Sequence, residues 1–355
     1  MINTFENICI EKDKGYFFSF EINGLYELNL KNWKCKFLTA YDKLNDERLF
    51  SNIVKYKDWL VLIPMQADKF MAYNLCSEEK IYIDIPVISG RYKESAKFLS
   101  AHIVGDKLYA IGHSYPGIIK IDLIKWNIEK VIELSDFGNL TDDGKDIFRY
   151  SSYYDFKIIA PSAFDNKILI LNTNDDQYQI KKMKINLKGF AKIVKHKNKS
   201  IGIPLYEKKL IIFDEKGSQY VYIADESPDS YISDFKYSNS LSYKNYEVII
   251  PLCTSNIVIF NKDTYEIKIV DIKKITNGYE HAISPVRACF EYNSNIYIIS
   301  GNNGEIFKLN CKNHELISVK KKLIAQFVDE RNANKAFVES RGYSIGDYIV
   351  DVMDM

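Results

Sequence analysis

An Asn or Asp that closes a short apolar run recurs along this chain at nearly constant intervals, and that spacing constrains the fold more than any other feature. It ends Leu-Tyr-Glu-Leu-Asn29, Phe-Met-Ala-Tyr-Asn74, Ile-Ile-Lys-Ile-Asp122, Leu-Ile-Ile-Phe-Asp214, Ile-Val-Ile-Phe-Asn261 and Ile-Phe-Lys-Leu-Asn310. The intervals are 45, 48, 92, 47 and 49 residues. Since 92 is twice 46, a degenerate copy lies between Asp122 and Asp214, and the chain holds seven units of roughly 47 residues. The chemistry of the marker is local. Asn and Asp bond the backbone just ahead of them and turn the chain where other residues would continue a strand.

Each unit reads as two hairpins. In the copy ending at Asn310, Ile296 to Ser300 and Ile306 to Asn310 are apolar runs separated by a Gly/Asn turn. Four short strands per unit at this period predict an all-β chain, a seven-bladed β-propeller of four-stranded antiparallel blades. The blades are expected at about 5–39, 49–85, 98–134, 155–187, 190–224, 234–270 and 286–319, making 1–319 the propeller. Uninterrupted runs such as Ile168-Leu-Ile-Leu171 fit strands covered on both faces by neighbouring blades. Pro64, Pro204 and Pro251, with Gly301 in another unit, end the second strand, because proline has no amide hydrogen to donate to a ladder. In the degenerate fourth unit, the polar stretch Tyr178 to Met183 is read as the third strand. Residues 135–152, rich in Gly and acids, read as a surface insertion. Residues 320–355 form a C-terminal extension expected to pack on the propeller. Within it Ser344-Ile-Gly-Asp347 resembles a capping box and predicts a short helix.

Composition excludes several classes. The 48 basic and 47 acidic side chains leave a net charge of +1, which does not fit a surface tuned for nucleic acid. The run Lys181 to Lys199 holds eight lysines and no acid, but it spans strands and a turn and has no aromatic stacking series, so nucleic acid is not expected as a partner. No apolar run is long enough to span a membrane, and no secretory leader is read at the start. The six cysteines show no C-x-x-C pair, so they are expected to be reduced and the protein cytoplasmic and monomeric.

Residues Asn256 to Val270, Asn-Ile-Val-Ile-Phe-Asn-Lys-Asp-Thr-Tyr-Glu-Ile-Lys-Ile-Val, resemble a YVTN-type hairpin. Across about Phe5 to Val319 the units resemble those of kelch, YVTN and quinoprotein-like propellers. They depart from each: there is no kelch Gly-Gly doublet, no Trp-Asp dipeptide, and none of the Trp and Gly pattern of quinone dehydrogenases. The resemblance implies a fold shared by scaffolds, binders and enzymes, and assigns no activity.

Candidate functional residues lie where the units differ. In a propeller the loops joining strands two and three, and those joining successive blades, gather at one mouth of the central channel. Only six of the basic residues are Arg, and four of them, Arg48, Arg91, Arg149 and Arg287, lie in or near interblade connections. Arg offers a planar fork that matches carboxylate or phosphate. Tyr154 and Asp155 are placed in the same connections, together with His102 and Asp234. His113, Tyr115 and Asn302 are placed in second-to-third loops, as are Asn174, Asp175 and Asp176. These residues predict a non-enzymatic module that recognises a peptide, protein or glycan, anionic in character, at the mouth. The alternative is a hydrolase or lyase acting on a saccharide or other small polar substrate, which needs two facing carboxylates. No catalytic residue, metal or cofactor is assigned: the histidines are scattered, and Asp142-Asp-Gly-Lys-Asp146 lacks the spacing of a calcium loop.

Overall fold

The computed structural model describes residues 7–19, 24–41, 48–88, 96–134, 147–185, 187–214, 216–224, 234–254, 256–272, 275, 284–301 and 304–320. Blade 1 comprises β1 (Cys9–Glu11), β2 (Lys14–Ser19), β3 (Gly24–Asn29) and β4 (Lys34–Ala40). Blade 2 comprises β5 (Phe50–Tyr56), β6 (Trp59–Pro64), β7 (Lys69–Asn74) and β8 (Lys80–Asp84). Blade 3 comprises β9 (Phe98–Val104), β10 (Lys107–Gly112), β11 (Gly117–Asp122) and β12 (Asn127–Glu133). Blade 4 comprises β13 (Ser152–Tyr154), β14 (Lys157–Pro161), β15 (Lys167–Asn172) and β16 (Tyr178–Lys182). Blade 5 comprises β17 (Phe190–His196), β18 (Lys199–Pro204), β19 (Lys209–Phe213) and β20 (Ser218–Tyr222). Blade 6 comprises β21 (Tyr237–Tyr243), β22 (Tyr246–Pro251), β23 (Asn256–Asn261) and β24 (Ile267–Asp271). Blade 7 comprises β25 (Val286–Tyr292), β26 (Asn295–Ser300), β27 (Ile306–Asn310) and β28 (Glu315–Lys320). Every sheet keeps its strands in chain order and antiparallel, so no described strand is exchanged between blades.

The core explains why the middle strands are apolar at every position. Successive residues of a strand point to opposite faces, and here both faces are covered. In β6, Leu60 and Leu62 pack with blade 1 residues such as Tyr16 and Phe18, while Val61 and Ile63 pack with Phe98 and Leu108 of blade 3. The described buried residues fall into seven apolar clusters, one between each pair of neighbouring blades. The seventh joins Ala288, Phe290 and Ile299 of blade 7 to Phe17, Tyr26 and Leu28 of blade 1, and so closes the ring. Full burial of each such side chain contributes roughly 1.5–3 kcal/mol. Tyrosines at the ends of inner strands add register: the Tyr292 hydroxyl donates to Asp13 at 2.7 Å, that of Tyr56 to Asp106, and that of Tyr243 to the Ser294 carbonyl at 2.5 Å.

The Asx marker has a structural counterpart in every blade. Asn29 Oδ1 accepts from the amides of Lys31 and Asn32, Asn74 Oδ1 from Cys76 and Ser77, and Asp122 Oδ1 from Ile124 and Lys125. Asp214, Asn261 and Asn310 repeat the bond to the residue two ahead. The hidden copy is Asn172, which ends β15 and accepts from the Asn174 amide at 3.1 Å. In six blades the turn then closes on a residue four beyond the Asx with positive φ: Trp33, Glu78, Trp126, Asp176, Tyr265 and His314.

Two expectations are corrected. Blade 4 begins at Ser152 rather than Asp155, and Tyr178 to Lys182 is its fourth strand, not its third. The fourth strand is the outermost of its blade, which is why it tolerates polar residues. The position equivalent to Pro64 in blade 7 is Ser300, paired with Val286 as Pro64 is with Phe50, and Gly301 lies one residue beyond. The capping box at Ser344 and the rest of the extension past Lys320 lie outside the described residues, as do residues 135–146.

The turn geometry makes a stability prediction. Replacing Asn74 by Ala removes two backbone bonds and is expected to lower unfolding free energy by about 1–2 kcal/mol. Replacing Glu78, at φ 60°, by Gly is expected to raise it by about 1 kcal/mol. Denaturant unfolding of the two variants measures both.

Candidate functional site

Because each blade is antiparallel, its first and third turns share one face of the ring, and its second loop and the interblade connections share the other. On that second face the inner strands begin with a bulge. Register shifts between Phe50 and Asn52, Phe190 and Lys192, Tyr237 and Asn239, and Val286 and Ala288 each leave one unpaired residue at the rim. A bulge re-aims the side chain it carries. In blade 7 that residue is Arg287. In blade 4 Phe148 makes an isolated bridge to Ser162, and Arg149 follows it at the corresponding place. Two blades three steps apart around the ring thus present Arg at the same structural position.

These residues border a cavity of about 290 Å³ at the channel mouth. Six of the seven blades contribute, through inner-strand ends and second loops, which places it on the ring axis. Arg48, Arg149, Arg287 and His113 line it alongside Asn7, Asn239, Ser238, Ser240 and Ser284, and no Asp or Glu is among its described lining residues. Arg48 is exposed, whereas Arg149 and Arg287 are half-buried. Arg149 stacks over Phe235 at 5.3 Å, which fixes the guanidinium plane. His113 is buried and its Nδ1 donates to the Phe148 carbonyl, so it joins blade 3 to the segment that carries Arg149. Gly112 permits that loop: a Cβ there would stand 2.0 Å from the Tyr115 carbonyl oxygen. With positive side chains, amides and hydroxyls converging, and no carboxylate among the described lining residues, the cavity is suited to an anion.

Of the residues singled out from the sequence, Arg48, His113, Arg149 and Arg287 are therefore brought together. Arg91 and Asn302 lie outside the described residues. Tyr115 does not reach the cavity. It is fully buried, packs 5.0 Å from Phe98 and donates to the Pro86 carbonyl at 3.1 Å, so it anchors the chain between blades 2 and 3. Asp155 is in the β13–β14 turn on the opposite face, where it and Phe156 both have positive φ, a conformation that favours Asp for backbone reasons. Tyr154 ends β13 beside that turn, with its ring 5.8 Å from the Lys195 ammonium. Asn174, Asp175 and Asp176 also belong to the opposite face, in the β15–β16 turn; Asp176 there binds Lys120 and Tyr109 of blade 3 at 2.9 and 2.8 Å.

The channel below the cavity holds polar groups that no local motif marks. His102 is on β9, not in a connection, and its Nε2 meets the Ser151 hydroxyl at 2.7 Å. Ser151 in turn meets Ser100 at 2.7 Å. Lys192, on β17, donates to the Ser240 carbonyl of blade 6 at 2.8 Å. Burial, with a smaller contribution from the positive charge of Lys192, holds His102 down at about 4. Burial also lowers Lys192, opposed in part by Glu247. His102 has one signal in the sequence, since it interrupts an inner strand that is otherwise apolar or small, whereas β17 also carries Lys195 and His196 and gives Lys192 none.

Fold and site together define a seven-bladed propeller with a basic channel mouth. Solved structures similar to it include virginiamycin B lyase from Staphylococcus aureus, with a TM-score of 0.64 and 11% identity over 87% of this chain and 95% of that one. BamB from Moraxella catarrhalis matches with a TM-score of 0.54 and 10% identity over 85% and 82%. PorZ, a surface component of the type-IX secretion system of Porphyromonas gingivalis, matches at 0.57 and 11% over 92% of this chain and 39% of its own. At these identities the likeness is one of fold. No protein-family model and no curated protein matches the sequence. Among the described residues no helix is long and apolar enough to cross a membrane.

The buried imidazole predicts an acid sensitivity. His102 is neutral in the fold to about pH 4, whereas in the unfolded chain it takes a proton near pH 6.5. The unfolded state therefore binds more protons between those values, and stability falls as pH drops through that window, by roughly 3 kcal/mol from this group. Unfolding of His102→Gln between pH 7 and 4 is expected to show a correspondingly shallower decline.

Proposed function

We propose that the protein is a non-enzymatic binding module that captures an anionic group, a carboxylate or phosphate carried on a peptide, protein or glycan, at the channel mouth. The observation that carries this reading is the convergence of Arg48, Arg149 and Arg287 on one cavity without a lining carboxylate among the described residues. Half-burial of two guanidinium groups in a small cavity strengthens their pull on an incoming anion, because water screens them less there than on an open surface. The serines and asparagines around them supply the neutral donors and acceptors that orient such a ligand.

A second reading is an enzyme, a hydrolase or lyase acting on a saccharide or other small polar substrate, and the likeness in fold to virginiamycin B lyase supports the enzyme class without naming a substrate. That chemistry calls for an acid and a base within reach of one bond, and the described lining offers His113 without a carboxylate beside it.

Titration calorimetry with a glutamate decapeptide, an oligogalacturonate and neutral counterparts of each tests the binding reading. The acidic probes are expected to bind, more weakly as salt rises. In a double variant Arg48→Ala, Arg287→Ala their affinity is expected to fall roughly 10- to 100-fold, the worth of one or two charge-assisted bonds, with the melting temperature nearly unchanged. Parallel loss of stability would show that these arginines hold loops instead, and turnover of a probe would select the enzyme.

A further inference from the structure

Lys192 stands out among the charged groups inside the ring. The other enclosed charge nearby, Glu247, is fully buried but well served: it accepts from the hydroxyls of Ser240 and Ser242, and the Lys262 ammonium lies 3.7 Å away. Lys192 has no such company. Among the described residues its ammonium makes one hydrogen bond, to the Ser240 carbonyl, and no carboxylate lies within ion-pair distance. An ammonium has three hydrogens to donate, so two remain for other partners. Holding a charge in that state is unfavourable by several kcal/mol.

Its position says what would relieve it. Ser240, which receives the Lys192 bond, also lines the cavity, so the ammonium lies just beneath the cavity floor. Lys192 belongs to blade 5, and its positive charge contributes to lowering His102 on blade 3, two blades away around the ring. Although protein surrounds it, Lys192 keeps partial access to solvent, as a group facing an open channel does. His102, Ser151 and Ser100 form one hydrogen-bonded group between blades 3 and 4 and carry no negative charge.

We propose that Lys192 is the inner half of a two-point anion site, with Arg149 and Arg287 as its rim, so that the ligand presents two carboxylates in line along the channel axis. This rests on the binding reading above and sharpens it. A cavity of about 290 Å³ is at the small end of ligand pockets, which excludes a folded acidic surface from the interior and admits a slender dianion. Two sources share that chemistry: a free dicarboxylic acid, and the end of a peptide whose last residue is Glu or Asp.

The test uses the full chain and compares wild type with Lys192→Met and with Arg149→Ala, Arg287→Ala. Probes are dicarboxylates from succinate to suberate, butyrate as the monocarboxylate, and Gly-Gly-Glu with a free or an amidated terminus. Wild type is expected to prefer a dicarboxylate over butyrate by about tenfold or more. Lys192→Met is expected to erase that preference while leaving butyrate binding in place, and to melt at the same temperature or higher because an unpaired buried charge is gone. Tighter binding of the free tripeptide, lost on amidation, identifies a peptide terminus; binding confined to the diacids identifies a small molecule. Unchanged dicarboxylate preference in Lys192→Met overturns the inner subsite and leaves the arginine rim standing. Failure of wild type to bind any dicarboxylate while binding the glutamate decapeptide does the same, and failure with every acidic probe overturns both readings. An independent check is the His102 pKa followed by NMR: it is expected to rise in Lys192→Met, and no change would mean that Lys192 does not face the channel.

Discussion

Face-to-face packing of blades is the constraint from which the rest of this structure follows. A strand such as β6 sends Leu60 and Leu62 to one neighbour and Val61 and Ile63 to the other. A sheet apolar on both faces is not satisfied by one partner, and a row of such sheets leaves two greasy ends. Only a ring removes them. The cluster of Ala288, Phe290 and Ile299 against Phe17, Tyr26 and Leu28 is therefore as necessary as the other six, even though it joins opposite ends of the propeller sequence. Since no described strand crosses between blades, that apolar contact and the bond from Tyr292 to Asp13 hold the first and last blades together among the described residues.

Ring closure also makes the site. It brings seven inner strands around one axis, and whatever side chains those strands do not spend on neighbouring blades must face the channel. In most blades the rim bulge carries a small or apolar residue, Ser51, Leu99, Ala191 or Ser238. In blades 4 and 7 it carries Arg. The mouth thus draws two of its three arginines from one repeated position, and the other copies show what that position looks like without a charge. Packing and polarity are separated in space: the packed middle strands hold the ring, and the rim and channel carry the charged groups. His102 and Lys192 are the exceptions, because their polarity sits inside the ring and burdens its stability.

How far the sequence discloses such a protein differs from residue to residue. Arg48, Arg149 and Arg287 were legible because Arg is scarce here against Lys and because they precede or open inner strands. His113 was legible from its loop. Tyr115, in the same loop, was misread: its ring fills the space between blades 2 and 3, and nothing local distinguishes a tyrosine that turns inward from one that turns out. Asp155 and Asn174 to Asp176 were misread for a different reason. Asn172 was not recognised as the fourth copy of the marker, so the strands of blade 4 were shifted by one, and a shift of one strand moves a loop to the opposite face of the ring. Lys192 was hidden in a lysine-rich run whose members point in several directions.

What the sequence determined by itself was the number and order of the blades. The Asx side chain bonds amides two and three residues ahead, so its signature is complete within one turn and survives in the sequence as a ruler. Tertiary structure alone decided which charges meet. Arg149 and Arg287 stand three steps apart around the ring and yet line one cavity with Arg48; such meetings are created by ring closure, which depends on the sum of many apolar contacts and leaves no mark at any one position. Local hydrogen bonding writes itself into spacing. Convergence on an axis does not, because it belongs to the ring and not to the segments that compose it.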